Sequence, residues 1–407
     1  MNERVKTSLK ILIMATINGV VIGAVISMFA LALVWCNDVR EVYPSLIYLL
    51  PLGGLIIVGL HKLAKVTNPT GTNRVIFRIR DNTYVKTIMA PLIFISTLIS
   101  QFFGASVGRE AAALQIGGSL ASFFGKCFRI KEKYSSLLII SGMSAAFSAL
   151  FGAPVAATFF ALELADARIS KPRAIIPAII SSEVAFLVGN LLSVPYVKVS
   201  LNTNLNFGVE TFFKVLLLAV FCSIACIIFV ASSKLIKKCF NSVFKNLFLR
   251  VFAGGVLVIL ITLLIGDQSY NGSGTETIYL CLTDGSFKVV WWTCLVKILM
   301  TNVSLGSGYQ GGEILPAFFI GATLGNAFSQ FFAIDPSVAS ALGMIGLFSA
   351  TTKCPLASLA IAFELFGFTN PLYFVFVVLV SMVASGPLRI YDEQKPWYLH
   401  GSHRTQK

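Results

Sequence analysis

Several glutamates lie in or beside long apolar runs of this sequence, and four of them are the side chains best placed to do chemistry there. A charged carboxylate in apolar surroundings is costly, so each one needs a partner, a proton or a polar cavity. The four residues are Glu110, Glu163, Glu313 and Glu364.

Glu110 and Glu313 each follow a glycine-rich stretch at the predicted start of a helix. Helix N-termini expose unpaired N–H groups, and glycines let an anion approach the backbone. The two segments therefore predict a binding site for a small anion. A carboxylate there competes with the anion for the same N–H groups and leaves when it is protonated, which would couple the anion to a proton. The alternative is that each glutamate only caps its helix.

The elements that position these residues are those of a membrane protein. The chain has 407 residues, of which 56% are hydrophobic and 12% are charged, whereas a typical soluble protein is about 25% charged. This composition excludes a soluble enzyme, a disordered chain and a nucleic-acid module. The net charge of +14 comes from clusters of Lys and Arg, which indicate membrane topology before they indicate a partner.

Long and short apolar segments follow one another along the chain. Ile11–Trp35 is a run of 25 uncharged residues, which is long enough for a transmembrane helix. Basic clusters at Met1–Lys10 and His61–Lys86 flank the first two spans, so the positive-inside rule places both clusters in the cytoplasm. Many later segments are shorter and contain Gly or Pro. Broken helices of this kind line polar cavities, which favours a transporter or channel.

An internal repeat relates the two halves of the chain. Gly142–Leu164 and Gly343–Leu365 are identical at ten of 23 positions, at an offset of 201 residues, and they pair Glu163 with Glu364. Both glutamates lie near helix ends, where a structural hydrogen-bonding role is favoured. Equivalent loops differ in basic charge, which predicts that the repeats are inverted in the membrane. The predicted division is 1–192 for the first repeat, 193–210 for a linker, 211–393 for the second repeat and 394–407 for a short cytoplasmic tail.

The cysteines and histidines predict neither a metal site nor a cofactor. None of the eight Cys forms a CxxC pair, and most lie in or beside apolar runs, so they are interpreted as reduced, small apolar side chains. His61, His400 and His403 lie outside the apolar segments, so no buried histidine is expected. Every Asp lies in a loop or at a segment end. These positions argue against an intramembrane protease or lipid transferase.

Three motifs resemble the CLC family of chloride channels and chloride/proton antiporters. They are GREAAALQIGG at Gly108–Gly118, FGAPVAATFFALE at Phe151–Glu163 and GGEILPAFFIGATLGN at Gly311–Asn326. The resemblance implies an all-α polytopic membrane protein with the CLC fold, two inverted-topology repeats and broken or re-entrant helices. It also implies a homodimer in which each subunit has its own ion pathway.

The resemblance also implies roles for individual residues. Glu110 matches the gating glutamate of the family, and Tyr391 matches its central tyrosine on the last helix. Thr72 would line the central site with Tyr391, and Asn73 would lie nearby. The implied outer anion site consists of the backbone amides of Arg109, Glu110, Ala111, Glu313, Ile314 and Leu315.

Departures from the chloride pattern resemble the fluoride-exporting branch of the family. Gly71-Thr72-Asn73-Arg74 stands in place of the GSGIP motif, and Glu313 stands where GGIFAP has an apolar residue. The inner proton-transfer glutamate of the chloride antiporters falls at Leu164, which cannot carry a proton. Fluoride is a small, strong hydrogen-bond acceptor, so it can pair with a protonated carboxylic acid at Glu313. Thr72 itself differs from the Met that is frequent in the fluoride branch.

We therefore expect a CLC-type fluoride/proton antiporter that uses the proton gradient to drive fluoride out of the cell. It would lie in the plasma membrane with both termini in the cytoplasm. The expected partners are fluoride or chloride, protons, lipid and a second copy of the chain, without nucleic acid or cofactor. The alternative is a CLC-type chloride channel or chloride/proton exchanger. Leu164 argues against ordinary chloride/proton exchange, but a passive channel would tolerate it.

Overall fold

A computed structural model describes residues 3–66, 71–166, 172–201, 203–206 and 208–394. Over these residues the chain forms sixteen α-helices and three short 3-10 helices, and it has no β-strand. The expected tail at 394–407 lies outside the described residues except for Gln394.

The helices are numbered in chain order, and eight fall in each half of the described chain. The first eight are α1 (Glu3–Val42), α2 (Leu50–Leu63), α3 (Thr72–Asp81), α4 (Met89–Phe102), α5 (Glu110–Cys127), α6 (Ser135–Phe151), α7 (Pro154–Leu164) and α8 (Ile175–Leu191). The second eight are α9 (Val209–Val243), α10 (Leu247–Ile265), α11 (Thr275–Thr283), α12 (Thr293–Ser307), α13 (Ile314–Phe332), α14 (Pro336–Thr352), α15 (Pro355–Phe366) and α16 (Pro371–Ala384).

Seven helical stretches of the described residues are long and apolar enough to cross a membrane. The predicted span at Ile11–Trp35 lies within α1. Four further apolar helices, namely α4, α7, α15 and α16, have only 10–17 residues, as the short apolar segments predicted. The all-α fold class with broken helices is therefore confirmed.

The two copies of the repeat break at equivalent residues. The apolar stretch Ser135–Ala165 divides into α6 and α7, because Gly152 adopts a left-handed conformation with φ of 68° and Pro154 starts the next helix. In the second copy Lys353 takes the left-handed position with φ of 56°, and Pro355 starts α15. Proline fits the first turn of a helix, where no partner for its missing N–H is needed.

Glycines allow close crossings at equivalent places in the two halves. A Cβ added to Gly117 of α5 would lie 2.3 Å from the carbonyl oxygen of Gly142 in α6. A Cβ added to Gly321 of α13 would lie 2.4 Å from the carbonyl oxygen of Gly343 in α14. Small residues let membrane helices approach to backbone contact. These crossings fix the directions of α5 and α13, whose N-termini form the candidate site.

Two features of the basic segment His61–Lys86 were not predicted. Residues Thr72–Asp81 form the amphipathic helix α3, which buries Val75, Ile76 and Ile79. The expectation that no histidine is buried is wrong, because α2 continues past the apolar run and leaves His61 only 6% exposed. Its Nε2 lies 3.3 Å from the hydroxyl of Ser96 in α4.

Candidate anion and proton site

The two glycine-rich stretches lie against each other. The backbone N–H of Gly108 donates to the carbonyl of Gly312 at 2.7 Å, and that of Gly312 donates to the carbonyl of Gly108 at 2.9 Å. A Cβ at Gly108 would lie 2.5 Å from Oε2 of Glu110 and 2.9 Å from the carbonyl oxygen of Gly312, so only glycine permits this approach. The pairing brings the N-termini of α5 and α13 to one place.

Glu110 is the first residue of α5, and its side chain is completely buried. Its Oε2 accepts hydrogen bonds from the backbone N–H groups of Arg109 at 3.0 Å and Leu315 at 3.2 Å. Its Oε1 has no hydrogen-bond partner among the described residues. The carboxylate therefore binds two of the N–H groups that the sequence assigned to an anion.

Ala111 and Ile314 complete the two helix starts. Both are buried, and each lies in the first turn of its helix, where backbone N–H groups have no intrahelical acceptor. The N atom of Ala111 faces Gly312 closely, since a Cβ there would lie 2.8 Å from it. The Glu110 carboxylate thus accepts from one amide at each helix start, that of Arg109 at α5 and that of Leu315 in α13.

Glu313 occupies the N-cap position of α13, but its side chain makes no capping hydrogen bond to the helix. Its residue surface is partly exposed. The charged groups that act on its carboxyl group are the ammonium of Lys237 and the carboxyl of Glu110. The simple capping alternative does not describe Glu313, and its side chain is available to another partner.

Two hydroxyl groups, those of Thr72 and Tyr391, lie near the N-terminus of α5. Thr72 is the first residue of α3, and its hydroxyl donates to the carbonyl of Ala111 at 3.4 Å. Tyr391 is 2% exposed, and its hydroxyl lies beside Thr72 without a hydrogen-bond partner of good geometry among the described residues. The expectation that Tyr391 stands on a helix is wrong, since it lies in the irregular segment after α16.

The irregular segment that carries Tyr391 is held in place by contacts with distant residues and not by helical hydrogen bonds. The side-chain oxygen of Asn73 accepts a hydrogen bond from the backbone N–H of Glu393 at 3.2 Å. The carboxylate of Glu393 pairs with Arg80 of α3 at 2.8 Å, and Asp392 pairs with Lys234 of α9 at 2.7 Å. The Asn73 carbonyl therefore serves to position the Tyr391 segment, and no contact places it in the anion site.

Glu163 and Glu364 each cap the N-terminus of a helix in the other repeat. The carboxylate of Glu163 accepts from the backbone N–H groups of Leu356 at 3.2 Å and Ala357 at 2.9 Å. Glu364 accepts from those of Val155 at 3.0 Å and Ala156 at 2.8 Å. The predicted structural role of these two glutamates is confirmed. Glu163 and Glu364 thus cap helices, whereas Glu110 and Glu313 lie at the candidate anion site.

Two lysines among the described residues are buried, and neither was predicted from the sequence. Lys297 of α12 is 0% exposed, and its ammonium donates to the carbonyls of Tyr270 and Gly272, both at 2.9 Å. Lys353 is 1% exposed and donates to the carbonyl of Met382 at 2.9 Å. The position of Lys297 within the apolar segment 289–300 could have indicated that this lysine is buried.

The remaining sequence expectations concern proton carriers and metals. Leu164 is the last residue of α7 and is completely buried. All eight Cys are free thiols, and six of them are buried. No group of three or more His, Cys, Asp or Glu side chains that could hold a metal ion occurs within the described ranges.

Comparison with known proteins gives a family match and full-length relatives. A family model described as voltage gated chloride channel matches residues 53–386. The chloride/fluoride channel protein of Pseudomonas syringae pv. tomato is 29% identical, over 95% of this chain and 86% of that protein. The H(+)/Cl(-) exchange transporter ClcA of Vibrio campbellii is 24% identical, over 98% of this chain and 91% of its own.

Solved structures show the same architecture. A CLC-type fluoride/proton antiporter superposes with a TM-score of 0.90 at 29% identity, covering 95% of this chain and 98% of that chain. A slow cyanobacterial Cl-/H+ antiporter superposes with a TM-score of 0.78 at 18% identity, covering 92% and 93% of the two chains. The second likeness concerns the fold alone.

Proposed function

The chain belongs to the voltage-gated chloride channel (CLC) family, and on that premise we propose that it exchanges fluoride for protons across a membrane. It is a multi-pass membrane protein, with seven helical stretches among the described residues that are long and apolar enough to span a membrane. The observation that carries the proposal is the Glu110 carboxylate, which is bound to the amides of Arg109 and Leu315 where the anion would bind.

The exchange follows from competition for these amides. Charge-assisted hydrogen bonds are roughly twice as strong as neutral ones, so Glu110 holds the two amides as a carboxylate and loosens when it takes a proton. An arriving anion then replaces it on the amides of Arg109, Ala111, Ile314 and Leu315. The displaced, neutral Glu110 side chain swings out of the anion path towards the outside and carries its proton with it.

Glu313 supplies the preference for fluoride in this proposal. Its carboxyl group makes no capping hydrogen bond, which leaves it available to an anion. A protonated carboxylic acid is a strong donor, and fluoride accepts hydrogen bonds better than chloride does. Glu313 therefore binds fluoride through its proton and passes that proton inward, a task that Leu164 cannot perform.

Thr72 and Tyr391 form the inner part of the anion pathway. The Tyr391 hydroxyl is buried with no partner of good geometry among the described residues. Leaving a buried donor unsatisfied costs about 1–3 kcal/mol, and an anion beside it removes that cost. Asn73 supports this pair by fixing the segment that carries Tyr391.

The proposed function includes an oligomeric state and a location in the cell. The exporter would be a homodimer with one pathway per subunit, in the plasma membrane of its cell. The basic clusters of the sequence put both termini in the cytoplasm. The division into repeats at 1–192 and 211–393 accompanies this topology.

Chloride transport is the second candidate, favoured by the likeness to ClcA of Vibrio campbellii. The two are separated by loading proteoliposomes with fluoride or with chloride and following efflux with ion-selective electrodes. The proposal expects fluoride efflux to exceed chloride efflux by at least about tenfold, which is roughly 1.4 kcal/mol of discrimination. Equal or faster chloride efflux would contradict it.

A further inference from the structure

Helix α4 carries polar side chains through an otherwise apolar region. Ser96, Thr97, Ser100 and Gln101 are each 0% exposed. They recur one helical turn apart, so they share one side of the helix. Thr97 Oγ1 and Gln101 Oε1 have no hydrogen-bond partner among the described residues. Buried polar atoms of this kind are satisfied by water, so the polar side of α4 marks a line along which water can lie.

One end of this line meets His61 near the C-terminus of α2. The ring is 6% exposed, and its Nε2 lies 3.3 Å from the hydroxyl of Ser96. Its Nδ1 is buried without a partner in the described part of the chain. An imidazole can accept a proton at one nitrogen and release it from the other. His61 is therefore placed to exchange protons at the cytoplasmic end of the line.

The other end meets the loops that carry the two functional carboxyl groups. The backbone N–H of Gln310, three residues before Glu313, donates to the hydroxyl of Ser100 at 3.1 Å. The side-chain amide of Gln101 donates to the carbonyl of Val107 at 3.2 Å, three residues before Glu110. The polar side of α4 thus connects His61 with the segments leading into both helix starts.

We propose that this line is the inner proton route and that His61 is its proton-exchange group. The inference rests on the proposed fluoride/proton exchange. A proton leaving Glu313 passes along water and the hydroxyls of Ser100 and Ser96 to Nε2 of His61. The ring then releases a proton from Nδ1 to water that enters from the cytoplasm, which leaves the neutral Nε2–H tautomer. A ring flip restores the starting form, so charge and protons balance over the cycle. His61 thus takes the place of an acidic residue at Leu164.

The charges around His61 suit this role. Helix α2 packs chiefly against α4 and α10. Helix α4 contains no titratable residue, and α10 contains only Arg250, whose guanidinium donates to Ser307 and Asn241. On its own helix, Lys62 lies over the ring of Phe248. No carboxylate from these elements fixes the ring as a permanent cation, so it can both gain and lose a proton.

The test compares His61→Gln and Ser100→Ala with a matched control, Ser340→Ala. The hydroxyls of Ser100 and Ser340 both return to the carbonyl four residues earlier, but only Ser100 lies on the route. Each purified variant is reconstituted into liposomes, coupled fluoride and proton fluxes are recorded, and fluoride binding is measured by calorimetry.

His61→Gln is expected to slow coupled exchange at least about tenfold, within the range of a lost proton-transfer group. It should also remove the part of the dependence of the rate on cytoplasmic pH that the imidazole contributes, because the amide of Gln does not titrate. Ser100→Ala should slow exchange, Ser340→Ala should not, and fluoride affinity should stay unchanged in all three.

Exchange within about twofold of the wild type in His61→Gln would overturn the relay, because general acid–base groups contribute far more. Slow exchange accompanied by lost fluoride binding, or an equal loss in Ser340→Ala, would overturn it as well, since it would indicate a structural effect. The wild-type protein is measured first. Absence of coupled exchange there contradicts the proposed function, whereas normal exchange with an unaffected His61→Gln contradicts only the relay.

Discussion

Oε2 of Glu110 accepts a hydrogen bond from the backbone N–H of Leu315 at 3.2 Å, so a side chain of α5 occupies the N-terminus of α13. The amide of Arg109 donates to the same oxygen at 3.0 Å. An anion that binds these N–H groups must displace the carboxylate, and a proton that neutralises the carboxylate weakens its hold. Anion binding and protonation therefore favour the same movement of Glu110, which is a physical basis for coupling.

Glu110→Gln is expected to abolish proton movement, because a neutral amide keeps the shape of the side chain but carries no proton. Any remaining fluoride movement should follow the fluoride gradient passively. The measurement is internal pH in fluoride-loaded proteoliposomes. Glu276→Gln is the matched control, since Glu276 also lies in the first turn of a helix but is exposed. Unchanged proton movement in Glu110→Gln would remove Glu110 from the gate.

Glu313→Gln is expected to lose coupled exchange by at least about tenfold, since proton transfer by a placed carboxyl group contributes that much or more. Fluoride should also bind more weakly, because an amide is a poorer donor than a carboxylic acid. Flux and calorimetric binding report the two effects separately. If coupled exchange survives intact, Glu313 has no direct role and fluoride selectivity must come from elsewhere in the site.

Tyr391→Phe is expected to weaken fluoride binding by roughly tenfold, the equivalent of one neutral hydrogen bond of about 1–1.5 kcal/mol. The fold should not suffer, because the hydroxyl has no partner of good geometry to lose in the described part of the chain. Tyr373→Phe is the control, since it removes a hydroxyl that donates to the carbonyl of Asn206 at 3.0 Å. Unaltered fluoride affinity in Tyr391→Phe, measured by calorimetry, would exclude this hydroxyl from the pathway.

Glu364→Gln is expected to lower the melting temperature of the detergent-solubilised protein. Its carboxylate accepts from Val155 and Ala156, and a hydrogen bond to a charged group contributes about 1.5–3 kcal/mol. Glu210→Gln should change the melting temperature little, because its pair with Lys214 is exposed and such pairs contribute little. Equal melting temperatures for the two variants would contradict the capping role of Glu364.

The repeat and the two helix starts could be predicted from the sequence because local chemistry determines them. Pro154 and Pro355 begin helices, and glycines before Glu110 and Glu313 permit the backbone pairing that the structure contains. The offset of 201 residues gave the correspondence between the halves, and the short apolar segments with Gly or Pro predicted the broken helices. These features depend on a few neighbouring residues.

The features that were missed depend on contacts between distant residues. Tyr391 reaches the site without a helix because Asn73 and Arg80 hold the adjoining Glu393, more than 300 residues away in sequence. His61 is buried because α2 continues past the apolar run and brings the ring beside Ser96 of α4. Neither pairing leaves a periodic signal in the sequence.

The most direct test of coupled exchange is proton movement driven by a fluoride gradient. Proteoliposomes loaded with fluoride, with equal pH on both sides, are monitored by a fluoride electrode and an internal pH indicator. Fluoride efflux is expected to drive protons inward and to acidify the interior against the developing proton gradient. Glu110→Gln is expected to eliminate this acidification. Fluoride efflux without proton uptake, or chloride efflux of equal speed, would contradict coupled fluoride/proton exchange.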